Sequence, residues 1–328
     1  MSIRVLSADD VRAALSMGDA VEAMRQAFGQ LSDGTAELPL RTSVAVPDRG
    51  AVTLVMPARC DVPHGLGGKF VSVFPHNPKA GLPLIHAAVL LLSPETGEPV
   101  ALIEGQSLTA IRTGAASGLA TQLLARPDAC RVAVIGSGVQ ARTQLEAVCC
   151  VRPAESVAVY SLVRQEVEQF AEEMAGTGGI PTAITVASSV HEATRDADII
   201  CTATSSADPV LAPDDISPGV HINGVGSYTA EMREVDPALV GRARVVVDQR
   251  EAAMAEAGEV IAAVRGGLLA ESALIELGEI VNGTAQGRTR DDQITLFKSV
   301  GVAVQDLCAG AQAVQRAEER GLGRVVEL

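Results

Sequence analysis

The 328-residue chain is long enough to form two domains, each with its own hydrophobic core. Its formal net charge of −14 would repel a phosphate backbone, and an aromatic content of 2% leaves few rings to stack on bases, which argues against nucleic-acid binding. A hydrophobic fraction of 47%, without any apolar run close to 20 residues, argues against both disorder and a membrane span.

The first third of the chain predicts an α+β domain. A helix is predicted from Ser7 to Leu31, because apolar residues recur there at helical spacing after a capping serine. Short β segments are predicted from Leu38 to Met56 and in LGGKFVSVFP, followed by a hairpin whose turn spans Ser93 to Glu98. These lengths and turns are typical of a mixed or antiparallel sheet. We assign residues 1–120 to a substrate-binding and dimerisation domain, completed by the C-terminal helix within residues 305–328.

Residues 121–304 predict a doubly wound nucleotide-binding domain. A long helix rich in small residues, Gly105 to Leu124, and a chain break at Arg126 to Asp128 precede it. Strands and helices then alternate, as in a parallel sheet that is covered on both faces. The predicted strands are 132–135, 157–160, 183–186, 199–203, 220–225 and 244–248, and the predicted helices begin at Gln140, Glu166, His191 and Val302. The fold class is therefore α/β, with a Rossmann-type domain and a separate α+β domain.

The stretch RVAVIGSGVQA carries the strongest single motif. Gly136, Gly138 and Ala141 fall at the three small-residue positions of the dinucleotide fingerprint, between a strand and the start of a helix. The first glycine allows the sharp turn, the second lets a pyrophosphate approach the backbone, and the alanine lets the helix lie close to the sheet. The cofactor-binding residues predicted here are Gly136, Ser137, Gly138, Val139, Gln140 and Ala141.

Two further strand ends bear on the cofactor. NAD-binding domains usually carry an acid about 20 residues after the glycines, whereas this chain has Ser161 and Arg164 and no acid in SLVR. A guanidinium there is able to hold a ribose 2′-phosphate, so NADP(H) is favoured and NAD(H) is the alternative; Arg164 as a solvated residue of a helix start is the other interpretation. The strand end TATS is expected to pass the nicotinamide ribose, which adds Thr202, Ala203, Thr204 and Ser205.

Three cations in the first domain are candidate substrate ligands. Arg41, Lys69 and Arg112 each stand beside a β segment or a helix start rather than in a charged surface run. The chain holds only three lysines against 23 arginines, so each retained lysine is a candidate for a specific role. A small anionic substrate would suit such a cluster, although the pattern alone equally allows three separate surface cations.

The cysteine spacing and the N-terminal sequence indicate the cellular compartment in which the protein is expected. The six cysteines show neither CxxC nor Cys/His ligand spacing, so we expect reduced thiols and no metal site. The N-terminal segment lacks the pattern of a secretory signal, and a cytoplasmic location is expected.

Several blocks in order resemble one family. The stretches GGKF, GQSLTAIRTGAAS, VAVIGSGVQA, INGVGS and KSVGVAVQDL are similar to the ornithine cyclodeaminase and mu-crystallin family over nearly the whole chain. The resemblance implies that Arg41, Lys69 and Arg112 hold a substrate carboxylate, that a nicotinamide cofactor binds the second domain, and that the protein acts on amino acids or cyclic imines as a dimer. The expected cofactor site also includes Gly226, Lys298, Val300 and Gly301.

One position departs from the cyclodeaminase pattern. Cyclodeaminases and related alanine dehydrogenases carry an Asp after the INxxG strand, where this chain has Tyr228. Cyclisation or amine oxidation needs a base, and a phenol with a reference pKa of about 10 is poorly suited, whereas imine reduction needs a protonated nitrogen instead. The leading hypothesis is therefore NAD(P)H-dependent reduction of pyrroline-2-carboxylate or piperideine-2-carboxylate. The candidate catalytic residues are Lys69, Arg112, Thr113 and Ser227, with one of the two hydroxyls or a water protonating the nitrogen.

The alternatives are an ornithine cyclodeaminase, an alanine-type dehydrogenase, and a binding protein of the mu-crystallin kind without turnover. For assembly, the strand Ala87 to Leu92 is apolar on both faces, so one face needs a cover. A second subunit about a two-fold axis would supply it, and burial within one chain is the other interpretation.

Overall fold

The computed structural model describes residues 2–63 and 65–327. Its strands are β1 (Ser2–Leu6), β2 (Thr42–Val46), β3 (Ala51–Cys60), β4 (Gly65–Val73), β5 (Ile85–Leu92), β6 (Pro99–Glu104), β7 (Arg131–Ile135), β8 (Ser156–Tyr160), β9 (Ile184–Val186), β10 (Ile199–Thr202), β11 (His221–Gly224), β12 (Arg244–Val247), β13 (Ile275–Glu276), β14 (Thr295–Lys298) and β15 (Arg324–Glu327).

The described residues also form α-helices. They are α1 (Ala8–Ala14), α2 (Met17–Asp33), α3 (Gly105–Leu124), α4 (Val139–Val151), α5 (Arg164–Met174), α6 (Val190–Thr194), α7 (Pro237–Arg242), α8 (Arg250–Glu256), α9 (Gly258–Arg265), α10 (Leu277–Val281) and α11 (Ala303–Arg320). The chain divides into two compact units. Unit 1 comprises residues 1–112 and 302–328, and unit 2 comprises residues 113–301. No helix in the described ranges has both the length and the apolar character that a bilayer crossing requires.

Unit 1 is built on one mixed sheet in the order β15-β1-β6-β5-β4-β3-β2. The pair β1 and β6 is parallel, and the other neighbouring pairs are antiparallel. Helix α11 packs on α2 and on strands β3, β4 and β5. The α+β architecture expected for this part of the chain is confirmed.

The two faces of the unit 1 sheet differ in burial. On the inner face, which α11 covers, the neighbours Met56, Lys69, Val89 and Ile103 lie side by side and are all buried. The outer face carries exposed apolar side chains, with Val44 at 54%, Phe70 at 52% and Leu102 at 39%, and also the polar row Thr53, Ser72 and His86. Ala88 and Leu90 of β5 lie on this outer face and are half-buried.

The N-terminal helix differs from its prediction. Instead of one helix from Ser7 to Leu31, two helices form, because Leu15 is extended (φ −104°, ψ 101°) and Ser16 caps α2. The Ser16 side chain accepts a hydrogen bond from the Asp19 N–H at 3.1 Å, which satisfies one of the free donors at the start of the helix. Apolar spacing continues across the break, so periodicity alone did not reveal it.

Unit 2 is a doubly wound fold in which all neighbouring strands are parallel, in the order β13-β12-β14-β11-β10-β7-β8-β9. Alternate residues of β7 enter different cores: Val132 and Val134 join one cluster, and Ala133 and Ile135 join the other. Both faces of the sheet are therefore buried, as a run of apolar strand residues requires. The predicted Rossmann-type fold is confirmed.

Candidate functional site

The turn between β7 and α4 has the geometry that the glycine pattern predicts. Gly136 has φ of +121°, and a Cβ there would lie 2.5 Å from the Ala203 carbonyl oxygen, so only glycine fits. Gly138 is the N-cap of α4 and provides no side-chain cap, and a Cβ added to it would meet nothing within 4 Å. Ala141 is fully buried against the sheet. The exposed helix start with open space at Gly138 fits a diphosphate.

Side chains from α4 and α5 hold this turn. The Arg142 guanidinium donates to the carbonyls of Ser137 and Gly138 and stacks 5.3 Å from the centre of the Phe170 ring. The Ser137 hydroxyl lies 3.4 Å from Oε2 of Glu166, which stands in the first turn of α5. The backbone that would meet a phosphate is thus fixed before any ligand binds.

The carboxylate of Glu234 joins the ends of β10 and β11. Oε1 accepts from the Thr204 N–H at 2.6 Å and its hydroxyl at 2.8 Å. Oε2 accepts from the Thr202 hydroxyl at 3.0 Å and from the N–H groups of Gly226 at 2.5 Å and Ser227 at 3.3 Å. Burial raises the pKa of the Glu234 carboxyl, and nearby Lys298 opposes that shift. Thr202 is fully buried, with its hydroxyl on Glu234.

Lys298 and Ser227 form a second buried group in unit 2. The Lys298 ammonium donates to the Ser227 carbonyl at 2.6 Å and hydroxyl at 2.8 Å, and it lies 3.4 Å from Glu259. The Ser227 hydroxyl in turn donates to the Glu259 carboxylate at 2.8 Å. Both side chains have no exposed surface. This burial does not support the expected direct contact of Lys298 with a cofactor, nor a proton transfer from Ser227 to a substrate.

The carboxylate of Asp248 holds the loop after β14. One oxygen of Asp248 accepts from the N–H groups of Val300 at 2.8 Å and Gly301 at 2.7 Å, and from the Ser299 hydroxyl at 3.1 Å. Gly301 has φ of +83°, a conformation that favours glycine. Since these two N–H groups are already paired, any contact of Val300 and Gly301 with a cofactor would have to use other atoms.

The end of β8 bears the residues expected near the adenosine ribose. Ser161 is half-buried, and the side chain of Arg164 is 63% exposed at the start of α5. The Arg164 guanidinium pairs with Glu168 at 2.7 Å. An exposed pair of this kind holds the arginine only weakly, so it remains available to an anion.

Unit 1 contains a buried cluster of opposite charges. Asp306, in the first turn of α11, places Oδ2 2.7 Å from the Lys69 ammonium and Oδ1 3.0 Å from Nε of Arg112. The Arg112 Nη1 also donates to Oε1 of Gln305 at 3.0 Å. The residues are 3% (Lys69), 5% (Arg112) and 1% (Asp306) exposed. Two of the three predicted carboxylate ligands are therefore brought together, on a carboxylate that the sequence interpretation had not singled out.

Charge and burial set the protonation of this cluster. Burial lowers the pKa of Lys69 to about 8; Asp306 opposes this shift, while Arg112 and Arg41 add to it. Burial raises the pKa of Asp306, but the positive charges of Lys69 and Arg112 outweigh it and hold the carboxyl below its usual pKa. Arg41 is half-buried immediately before β2, and its charge acts on Lys69. Lys69, Arg112 and Arg41 carry three positive charges against the one negative charge of Asp306, so the net charge of this group is positive and favours an anion.

The remaining predicted residues lie in α3 and after β11. Thr113 is 7% exposed in α3, and its carbonyl accepts a hydrogen bond from Gln144 at 3.3 Å. Tyr228, which stands where cyclodeaminases carry their Asp, is 40% exposed. The sequence interpretation missed Glu234, Asp248 and Asp306. Only Asp306 had a signal, since it stands in the block KSVGVAVQDL.

Known proteins resemble this chain along nearly its whole length. Residues 1–321 match the ornithine cyclodeaminase/mu-crystallin family. A structure of Thermococcus litoralis Delta(1)-pyrroline-2-carboxylate reductase in complex with NADH and L-proline has 41% sequence identity and a TM-score of 0.94, covering 98% of this chain and 99% of that one. A Delta(1)-pyrroline-2-carboxylate reductase of Bacillus cereus is 38% identical over 98% of this chain and 99% of its own length. An archaeal alanine dehydrogenase dimer with bound NAD is 31% identical, with a TM-score of 0.92 and full coverage of both chains.

Substitution of Gly138 by Ala tests the dinucleotide site. The added methyl group meets no protein atom, so the free protein should fold normally, but the methyl would hold a diphosphate away from the helix start. We expect the Kd of the reduced nicotinamide dinucleotide to rise about tenfold or more, measured by its fluorescence on titration with protein.

Gly18→Ala is the matched control, because a Cβ at this helical position in unit 1 also meets nothing within 4 Å. It should leave the Kd unchanged. Equal affinity of the Gly138→Ala variant and the unmodified protein would show that the diphosphate does not approach this turn.

Proposed function

The chain belongs to the ornithine cyclodeaminase/mu-crystallin family, and we propose that it is an NAD(P)H-dependent reductase of cyclic ketimine carboxylates. The substrates are pyrroline-2-carboxylate or piperideine-2-carboxylate, which become the corresponding cyclic amino acids. The observation that carries the proposal is the buried Lys69–Asp306–Arg112 cluster, whose positive charge exceeds its negative charge. A substrate carboxylate would balance that excess.

The relatives support this assignment. Two reductases of pyrroline-2-carboxylate cover 98% of the chain at 38% and 41% identity, and one of them is in complex with NADH and L-proline. L-Proline is the product that forms when hydride and a proton add across the C=N bond of pyrroline-2-carboxylate. A substrate carboxylate held by Arg41, Lys69 and Arg112 therefore agrees with the product bound by that relative.

The residues contribute mainly binding and orientation. Arg112 enters the reaction fixed by Asp306 and Gln305, so its remaining N–H groups have a defined direction for a carboxylate. In unit 2, the turn Gly136–Ala141 would hold the diphosphate, and the loops held by Glu234, with Ala203, Thr204, Ser205 and Gly226, would border the nicotinamide ribose. The reduced nicotinamide supplies the hydride when bound.

The two other activities in this family need a base that this chain lacks at the expected position. Ornithine cyclisation and alanine oxidation both require removal of a proton from the substrate ammonium. This chain has Tyr228 at the position where cyclodeaminases carry the Asp that would act as the base. Alanine dehydrogenase activity is nevertheless worth measuring, because a dehydrogenase of that name shares 31% identity over the whole chain.

The absorbance of NADPH or NADH at saturating pyrroline-2-carboxylate and piperideine-2-carboxylate tests the proposal. We expect oxidation of the cofactor with at least one imine, and a loss of kcat/KM of about 100-fold or more in Lys69→Met, since a buried cation that binds the carboxylate is removed. Dinucleotide affinity should persist in this variant.

The exposed Lys79 offers a control, because Lys79→Met makes the same change outside the cluster and should keep full activity. Ammonia released from ornithine with catalytic NAD, or NADH formed from alanine, without any imine reduction would contradict the proposal in favour of the alternative activities.

Within this proposal NADP(H) is the preferred cofactor and NAD(H) the alternative. Arg164 and Ser161 follow β8 without an acid beside them in SLVR, which suits a 2′-phosphate. Glu166, two residues further on, works against this preference, because its carboxylate extends toward Ser137 of the glycine turn. The charge of Arg164 outweighs it if the 2′-phosphate contacts the guanidinium directly.

Replacement of Arg164 by Ala tests the cofactor preference. The KM for NADPH should rise about tenfold or more while the KM for NADH stays within about twofold, because only NADPH carries the phosphate that the guanidinium would bind. Arg290→Ala, which removes another exposed arginine paired with a nearby acid, should change neither value. An equal effect on the KM of both cofactors would show that Arg164 does not bind the 2′-phosphate.

A homodimer through the outer face of the unit 1 sheet completes the proposal, together with a cytoplasmic location that suits the six free thiols. Val44, Phe70 and Leu102 expose apolar surface there, and an exposed patch of this kind marks an association site. A neighbour of this fold is a dimer by its own description.

We expect a mass of twice the 33.8 kDa chain by light scattering at micromolar concentration. Phe70→Asp should produce monomers, because the paired surface would bury an unpaired carboxylate, and Leu90→Asp on the same face should do so or prevent folding. Leu268→Asp, at a site in unit 2 that is 49% exposed, should stay dimeric. A monomeric mass for the unmodified protein would exclude this assembly.

A further inference from the structure

Reduction of the imine needs a proton donor for its nitrogen, and the two hydroxyls considered from the sequence, those of Thr113 and Ser227, are poorly placed to be that donor. Ser227 is fully buried and bonded to Glu259, and Thr113 lies in the buried helix α3. Lys69 has a more suitable position. Its ammonium lies within the very cluster that would bind the substrate carboxylate, 2.7 Å from Asp306.

The surroundings of Lys69 leave donors for a ligand. An ammonium has three N–H groups and no acceptor, and Asp306 takes one of them. The strand neighbours on either side, Met56 and Val89, are apolar: Val89 has no side-chain acceptor, and Met56 has only a weakly accepting thioether sulfur. Within the described residues, these two N–H groups have no side-chain partner that would compete with a bound anion.

Substrate chemistry places the nitrogen beside the carboxylate. In pyrroline-2-carboxylate, the carbon that carries the carboxylate is also one end of the C=N bond. A cation that donates to the nearer carboxylate oxygen is therefore within reach of the imine nitrogen. One ammonium can serve both atoms, with Asp306 fixing its third N–H.

Electrostatics favours transfer of the proton over binding of a preformed iminium. Arg112 and Arg41 act on Lys69 as like charges, and an iminium bound there would add one more positive charge to the cluster. Transfer from Lys69 to the imine leaves the total charge unchanged. Burial and the two arginines lower the pKa of Lys69 to about 8, so its ammonium is a stronger acid than an ordinary lysine.

We propose that Lys69, positioned by Asp306, donates the proton that the imine nitrogen needs, an inference that rests on the proposed reductase function. In this step the proton would move from Nζ to the imine nitrogen, which takes the electrons of the broken C=N π bond, and the carbon would accept the hydride that a bound reduced nicotinamide supplies. Lys69 is left as a neutral amine and recovers its proton from water. Asp306 acts through Lys69 and touches neither substrate nor cofactor.

N-methyl-1-pyrrolinium-2-carboxylate separates proton donation from carboxylate binding. This zwitterion already carries a positive nitrogen, so its reduction to N-methylproline needs hydride and no proton. In Lys69→Met, we expect the single-turnover rate with pyrroline-2-carboxylate to fall about 100-fold or more, the range of general acid catalysis. The rate with the N-methyl compound should stay within about tenfold of the unmodified protein, while Lys79→Met changes neither.

The unmodified protein supplies an independent arm that does not depend on the folding of a variant. Its single-turnover rate with the imine should fall at alkaline pH, above about 8, as Lys69 loses its proton, and the rate with the N-methyl compound should stay level. Asp306→Asn should move the alkaline fall to lower pH by about one unit or more, because the charge that stabilises the ammonium is gone.

The outcomes distinguish this inference from the function on which it rests. Equal loss of both substrates in Lys69→Met, or an alkaline fall that is the same for both, overturns the role of Lys69 as the proton donor. Failure of the unmodified protein to oxidise the cofactor with either compound overturns the reductase function itself.

Discussion

The buried carboxylate of Asp306 is the constraint on which unit 1 depends. Lys69 comes from the middle of a strand and Arg112 from a helix, and without Asp306 two like charges would be buried without compensation, which is strongly destabilising. Asp306 itself stands on the helix that covers the inner face of the sheet. The two ion pairs of Asp306 thus compensate both buried cations and join this helix to the strand and the helix that carry them.

Unit 2 follows a similar principle at the ends of its parallel strands. Glu234 joins the loops after β10 and β11, and Asp248 fixes the loop after β14. Backbone N–H groups at such strand ends have no partner within the sheet, so a buried acceptor is needed to satisfy them. The chain's own carboxylates therefore keep these loops ordered without any ligand.

The scarcity of lysine was an informative feature of the sequence. Of the three lysines, Lys69 and Lys298 are buried and paired with carboxylates, and Lys79 is exposed. A chain that uses arginine for its surface keeps lysine where a compact ammonium with an adjustable pKa fits a closed space. The inference identified two buried positions but not their contacts: the ammonium of Lys298 donates to the carbonyl of Ser227.

The sequence by itself determined the fold class, the dinucleotide turn and the family, because these depend on local patterns: apolar strands, Gly136 and Gly138 between strand and helix, and several blocks in a fixed order. It did not reveal the break at Ser16, since apolar spacing runs through it, nor the pairing of β1 with β15 across the whole chain. Asp306 and Glu234 also required the tertiary structure. A carboxylate acquires its role from the cations and N–H groups that distant segments bring to it, and burial, which gives those contacts their strength, is a property of the folded chain alone.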